Sequence, residues 1–174
     1  MERMKKTLVI AEDEEELREM LVEQLEVLGL EILTAPNGQD ALDVITQRND
    51  IDGILSDINM PVMTGLQLLA EIRSRGLEIP FVILTGFADR QNTVEALRLS
   101  AMDFLEKPYN PAVLVQTLER AVTLGYQIRQ IEQDLHQLCE QASMTRKQKE
   151  EFIRTKRAIL MMRFDNNLKQ KRAA

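Results

Sequence analysis

Five short apolar runs alternate with amphipathic helical stripes over the first 124 residues, and this alternation constrains the fold more than any other feature. Thr7 to Ala11 is too short for a buried helix and reads as a strand. Glu14 to Leu28 follows, with Leu17, Leu21, Leu25 and Leu28 on one helical face and Gly29 at its end. Leu30 to Thr34 reads as a strand and Gln39 to Gln47 as a helix. Gly53 to Ser56 is the next strand, and Gly65 to Ser74 the next helix, closed by Gly76. Phe81 to Leu84 is a strand after Pro80, Asp89 to Leu99 a helix, and Met102 to Glu106 a strand. Pro111 opens a last helix, at a position that proline tolerates. Five strands alternating with five helices predict a parallel sheet with helices on both faces.

Composition narrows the class. Hydrophobic residues make up 44% and charged residues 29%, which excludes wholesale disorder. Aromatic residues are only 4%, so the core must be aliphatic. Cys139 is the single cysteine, which removes any disulfide within the chain and argues against a cysteine zinc site. No apolar run approaches the roughly 18 residues of a membrane span. Leu8-Val9-Ile10-Ala11 is too short for a signal-peptide core and runs into a block of acids. The expectation is a soluble, cytoplasmic protein.

Charge and chain breakers divide the sequence in the same place. Residues 1–124 carry a net charge of −11, residues 125–145 carry −2 and residues 146–174 carry +7. All five prolines lie at or before Pro111, and Gly125 is the last glycine. A polar stretch rich in Leu, Gln, Lys and Arg without either breaker predicts helix. A boundary is therefore placed near 124, with a first domain at 1–124 and a helical extension at 125–174.

The residues with chemical potential sit just past the strand ends. Glu12 and Asp13 follow the first strand, Asp57 closes the third, Thr85 closes the fourth and Lys107 follows the fifth. In open α/β sheets, ligands bind outside the carboxyl ends of the strands, where the strand order reverses. If strands one and three are neighbours there, Asp13 and Asp57 converge, and converging carboxylates repel unless a proton or cation joins them. Oxygen ligands alone select a hard ion such as Mg2+. A lysine and a threonine hydroxyl opposite suit a phosphoryl group, one by charge and one by hydrogen bonding.

Four segments, Val9-Ile10-Ala11-Glu12-Asp13-Glu14, Ser56-Asp57-Ile58-Asn59-Met60-Pro61-Val62-Met63-Thr64-Gly65, Leu84-Thr85-Gly86 and Phe104-Leu105-Glu106-Lys107-Pro108, resemble the receiver domain of bacterial two-component response regulators. The resemblance covers roughly residues 5–124, with the motifs in order and at matching spacing. It implies a doubly wound, five-stranded parallel sheet of flavodoxin-like order 2-1-3-4-5. It implies that Asp57 is phosphorylated by a histidine kinase or phosphotransfer protein. Asp13 then matches the direct Mg2+ ligand, Glu12 the acid that holds the ion through water, and Asn59 the residue whose backbone carbonyl ligates it. Thr85 matches the hydroxyl that meets the phosphoryl group, Lys107 the lysine that pairs with it, and Phe104 the aromatic that turns inward when the threonine moves. The Lys107–Pro108 bond is cis in the family. Gly86 stands where alanine is commoner, and Phe87 where many relatives carry a polar side chain.

The extension carries a heptad pattern at Ala121, Leu124, Ile128, Ile131, Leu135, Leu138 and Ala142, which predicts a coiled-coil segment to about 142 and a homodimer. Gly125, inside that pattern, reads as a soft point in the helix. Thr145 and Gln148 fit a capping box that opens a basic amphipathic helix over about 146–168. The combined reading is a phosphorylation-controlled signalling switch, not an enzyme with a separate substrate, whose helical tail contacts an unknown downstream protein. A tail that contacts nucleic acid is the alternative, less favoured than a solvated basic face, and an unrelated flavodoxin-like enzyme is a third reading.

Overall fold

The computed structural model describes residues 5–86, 95, 96, 98–141 and 144–156. Five parallel strands form one sheet in the order β2-β1-β3-β4-β5. They are β1 (Thr7–Ala11), β2 (Glu31–Ala35), β3 (Ile51–Asp57), β4 (Phe81–Thr85) and β5 (Asp103–Glu106). The helices are α1 (Glu15–Leu25), which continues as a 3-10 turn at Glu26–Leu28, then α2 (Gly38–Gln47), α3 (Gly65–Ser74) and α4 (Pro111–Gln141). The predicted helix at Asp89 to Leu99 lies mostly outside the described residues, although Glu95, Ala96 and Arg98 are helical.

The three central strands are buried along their whole length, whereas β2 and β5, at the two edges, are largely half-exposed. Continuous apolar runs follow from helices covering both faces. One face packs Val9, Ile54 and Ile83 with Leu42 and Ile45 of α2 and Leu69 and Ile72 of α3. The other packs Ile10, Leu55 and Leu84 with Leu21 and Leu25 of α1 and Leu114 and Leu118 of α4. Alternate residues of each strand serve opposite faces, as the pleat requires.

Local sequence accounts for the element ends. Asn37 caps α2 by accepting the Asp40 amide at 2.9 Å. Thr64 and Gln67 form a reciprocal capping box at α3. Gly29 ends the first helical segment with φ of 60°, where a side chain is disfavoured. Strand β3 starts two residues before the predicted Gly53, at Ile51-Asp52. The fully buried Asp52 carboxylate accepts the Thr7 amide at 2.9 Å, so the strand runs through it.

The expectation of a soft point at Gly125 is corrected. A Cβ built there would collide with the carbonyl oxygen of Asp52 at the start of β3, so glycine allows a close approach of helix to sheet.

Two compact units divide the chain, Met1–Tyr126 and Gln127–Ala174. In the second, Leu135 and Cys139 are buried, whereas Leu138 is 56% exposed. The buried stripe thus slips one position from the predicted heptad. A straight α-helix drifts by about 20° per heptad, and over some two and a half heptads the buried line passes from position 138 to position 139. Ala142 lies outside the described residues. A second helical stretch occupies 146–156. The Thr145 and Gln148 box opens it, with Thr145 N donating to Gln148 Oε1 at 3.0 Å and Gln148 N to Thr145 Oγ1 at 3.4 Å. The rest of the predicted basic helix lies outside the described residues.

Candidate functional site

The sheet register brings the predicted residues together. Ala11 lies opposite Ser56, so the residues that follow, Glu12 and Asp57, stand side by side at the carboxyl edge. Asp57 lies opposite Leu84, which places Thr85 just beyond it, and Thr85 lies opposite Glu106, which places Lys107 just beyond that. Backbone bonds extend this order past the strands, with Glu12 N donating to Ala35 O at 3.1 Å and Lys107 N to Thr85 O at 2.8 Å. The Lys107–Pro108 bond is cis.

Lys107 holds the centre. Its ammonium lies 2.5 Å from Asp57 Oδ1 and 3.1 Å from Glu12 Oε2. The Glu12 side chain is 1% exposed and that of Asp57 9%. Burial pushes the Glu12 carboxyl up, while Lys107 opposes it. Burial pulls the Lys107 ammonium down, but its bonds to Asp57 and Glu12 outweigh that and raise it. Two carboxylates therefore share one cation, whose bond to Glu12 spans 95 residues of sequence.

Of the other predicted residues, Asn59 contacts this pair directly. Asn59 donates its backbone amide to Asp57 Oδ2 at 2.6 Å, which fixes the carboxylate's orientation. Thr85 is buried, and its hydroxyl donates to the Gly86 carbonyl at 3.2 Å. Asp13 is exposed. Phe104 is half-buried against the cluster that includes Ile83 and Phe81. Phe87 lies outside the described residues.

Four features had roles that the sequence did not reveal. Arg18, in α1, donates to the Glu12 carbonyl at 2.7 Å and so clamps the loop after β1. Gly65 permits α3 to start against β3, because a Cβ there would run into the Asp57 carbonyl. Val62 has φ of 66° and is 82% exposed, a left-handed conformation that a β-branched side chain disfavours. The Tyr109 hydroxyl is enclosed and has no hydrogen-bond partner among the described residues.

The donors available to a cation here are all oxygens, from Asp13, Asp57, Glu12 and the Asn59 carbonyl, and that chemistry fits Mg2+. Among the described residues no three His, Cys, Asp or Glu side chains are gathered as a ready cage. A set that takes one donor from the backbone and one acid through water does not require such a cage. Among the described residues no helix is long and apolar enough to cross a membrane.

Comparison with known proteins points one way. The family model of the response regulator receiver domain matches residues 8–119. The response regulator SaeR of Staphylococcus aureus (strain NCTC 8325) is 32% identical over 116 residues, which is 67% of this chain and 50% of that protein. The chain thus spans about half the length of the curated relatives it matches. Among solved structures, FixJ-N is 29% identical with a TM-score of 0.63, covering 70% of this chain and 96% of that one. The chemotaxis protein CheY4 of Vibrio cholerae is 31% identical with a TM-score of 0.62, covering 67% of this chain and 98% of its own.

Proposed function

Because this chain belongs to the response regulator receiver domain family of two-component systems, we propose that it is a signalling switch set by phosphorylation of Asp57. The observation that carries the reading is the single lysine ammonium shared between Asp57 and Glu12 at 2.5 and 3.1 Å. A carboxylate so placed has its charge balanced by a group that can turn to an incoming phosphoryl oxygen.

The donor is a phosphohistidine of a kinase or phosphotransfer protein. Its P–N bond breaks, a P–O bond to an Asp57 carboxylate oxygen forms, and the imidazole leaves to take up a proton. Asp57 is held for this by the Asn59 amide. Lys107 follows the charge from the carboxylate to the phosphoryl oxygens. Thr85 exchanges its bond to the Gly86 carbonyl for one to the phosphoryl group, and Phe104 fills the space that the threonine leaves. Asp13, Asp57 and the Asn59 carbonyl would hold Mg2+, with Glu12 behind through water. Mg2+ bound there supplies positive charge against the phosphoryl oxygens. The chain assists its own phosphorylation and dephosphorylation and turns over no separate substrate.

Residues 1–124 serve as the receiver and 125–174 as the output arm, which docks on a downstream protein. A homodimer through the extension is the second reading, favoured by Leu138, which at 56% exposure is an uncovered heptad leucine. Burial of Ile128 and Leu135 within one chain weakens the need for a second copy elsewhere on the stripe. No observation among the described residues favours nucleic acid.

The test is labelling with acetyl phosphate. Asp57→Asn is expected to lower acid-labile incorporation by about 100-fold or more, and chelation of divalent metal to do the same to the wild type. Incorporation at the wild-type rate in Asp57→Asn overturns the reading. Light scattering with and without beryllium fluoride then separates the dimer from the monomeric arm.

A further inference from the structure

The loop from β1 to α1 carries two of the acids assigned to the cation, and little within the loop itself holds it. The strand ladder reaches Glu12, whose amide donates to Ala35 O at 3.1 Å, and α1 begins at Glu15. No side chain caps the first turn of that helix, where Glu14 stands at the N-cap in an extended conformation. Within the loop Glu14 N donates to Glu12 Oε1 at a long 3.3 Å. Asp13 is exposed, and its carboxylate makes no hydrogen bond or ion pair among the described residues. Glu12 to Glu16 are all acids, which adds repulsion along the same stretch.

Arg18 holds this loop from the helix. It lies at the start of α1, half-buried, where a long side chain leans back toward the amino end of its helix. Its Nη1 donates to the Glu12 carbonyl at 2.7 Å and reaches the Asp13 carbonyl at 3.4 Å, the first bond short and the second weak. These carbonyls belong to the two peptide units on either side of the Asp13 Cα. Each peptide unit is a rigid plane. Turning both carbonyls to one guanidinium therefore sets φ and ψ of Asp13, and with them the direction of its Cβ. The shorter bond is charge-assisted, and a guanidinium keeps its charge at any working pH.

We propose that Arg18 is a positioning residue for the divalent cation: it fixes the backbone on both sides of Asp13, so that this otherwise unheld carboxylate is aimed before the ion arrives. A ligand ordered in advance keeps the affinity that its ordering would otherwise consume. The inference rests on the reading of Asp13 as a direct Mg2+ ligand and goes beyond it by naming what aims that ligand. Charge alone gives the opposite expectation, since a guanidinium near a cation site repels the ion. The sign of the change on removing Arg18 therefore decides between the two.

The probe is Mn2+, a hard ion with the same preference for oxygen, whose free concentration is read by electron paramagnetic resonance in the presence of the full chain. Arg18→Gln is expected to bind Mn2+ about tenfold more weakly than wild type, the scale of losing a group that orients a metal ligand. Arg18→Lys, which still donates to the Glu12 carbonyl, is expected to fall between the two. In an Asp13→Asn background Arg18→Gln is expected to change the affinity by less than about twofold, an outcome that general loosening of the fold would not produce. The Mg2+ concentration for half-maximal labelling by acetyl phosphate is expected to rise by the same factor as the Mn2+ dissociation constant, with the rate regained at saturating Mg2+. Unchanged or tighter Mn2+ binding in Arg18→Gln overturns the inference and leaves the phosphoacceptor reading standing. An equal loss in the Asp13→Asn background overturns it too, as does a wild type that binds no Mn2+. If Mn2+ binding weakens as expected but the wild type takes up no label, the inference stands and the phosphoacceptor reading falls.

Discussion

Strand β3 carries a buried aspartate near each end, and the two are held in different ways. Asp52, at the amino end, is fully buried and accepts the Thr7 amide at 2.9 Å. Asp57, at the carboxyl end, is 6% exposed and paired with the Lys107 ammonium. A backbone amide cannot leave its strand, whereas an ammonium on a four-carbon stem can turn to a stronger anion. Residue type and burial are therefore nearly the same at both ends, but Asp57 has, beside the fixed Asn59 amide, an ammonium partner that can turn, which suits the phosphoacceptor role proposed for it.

The largest test of this contrast exchanges the two losses. Asp52→Ala orphans the Thr7 amide and is expected to cost about 2 kcal/mol by urea denaturation. Labelling of its folded fraction should match wild type. Asp57→Asn should do the reverse, losing the label and keeping stability within about 1 kcal/mol, since it also removes repulsion from Glu12. If Asp52→Ala abolished labelling in folded protein, the distinction would break.

A second test concerns the amino end again. Alanine normally favours a helix over glycine by about 1 kcal/mol, yet Gly125→Ala is expected to destabilise by about 1–3 kcal/mol. The reason is the collision with the Asp52 carbonyl, and a gain in stability would show that helix and sheet do not meet there.

The smallest effect is at the carboxyl end, where strain collects. Val62→Gly should relieve the left-handed backbone and raise stability by about 1 kcal/mol. A loss of similar size in the melting midpoint would remove strain from the account of the site.

Much of this was legible in the chain. Apolar runs marked the strands because both sheet faces are covered, and Gly29, Gly76 and the Thr64–Gln67 box marked helix ends through backbone rules that act locally. The acids and Lys107 were visible because each lies at or just past the end of a strand. What sequence did not reveal depends on contacts distant along the chain. Strand β3 reaches back to Asp52 because the Thr7 amide meets its carboxylate, and Gly125 looked like a weak point until the Asp52 carbonyl met it. Leu138 and Cys139 exchanged places because the helix follows its own period and not the heptad. Arg18 belongs to no spacing pattern, since its role comes from a clamped carbonyl.

The gradient of burial across the sheet has a kinetic consequence. Amides of β1, β3 and β4, buried throughout, should exchange with solvent deuterium only when the whole receiver opens. Strand β5 is four residues long, half-exposed and bonded to a neighbour on one side alone. Its amides should exchange through partial openings of far lower free energy. Phe104 rides on that strand and Lys107 follows it, whereas Asp57 ends the central one. On the proposed function, the acceptor is thus fixed to a strand that exchanges slowly, and the groups proposed to move hang on one that exchanges faster.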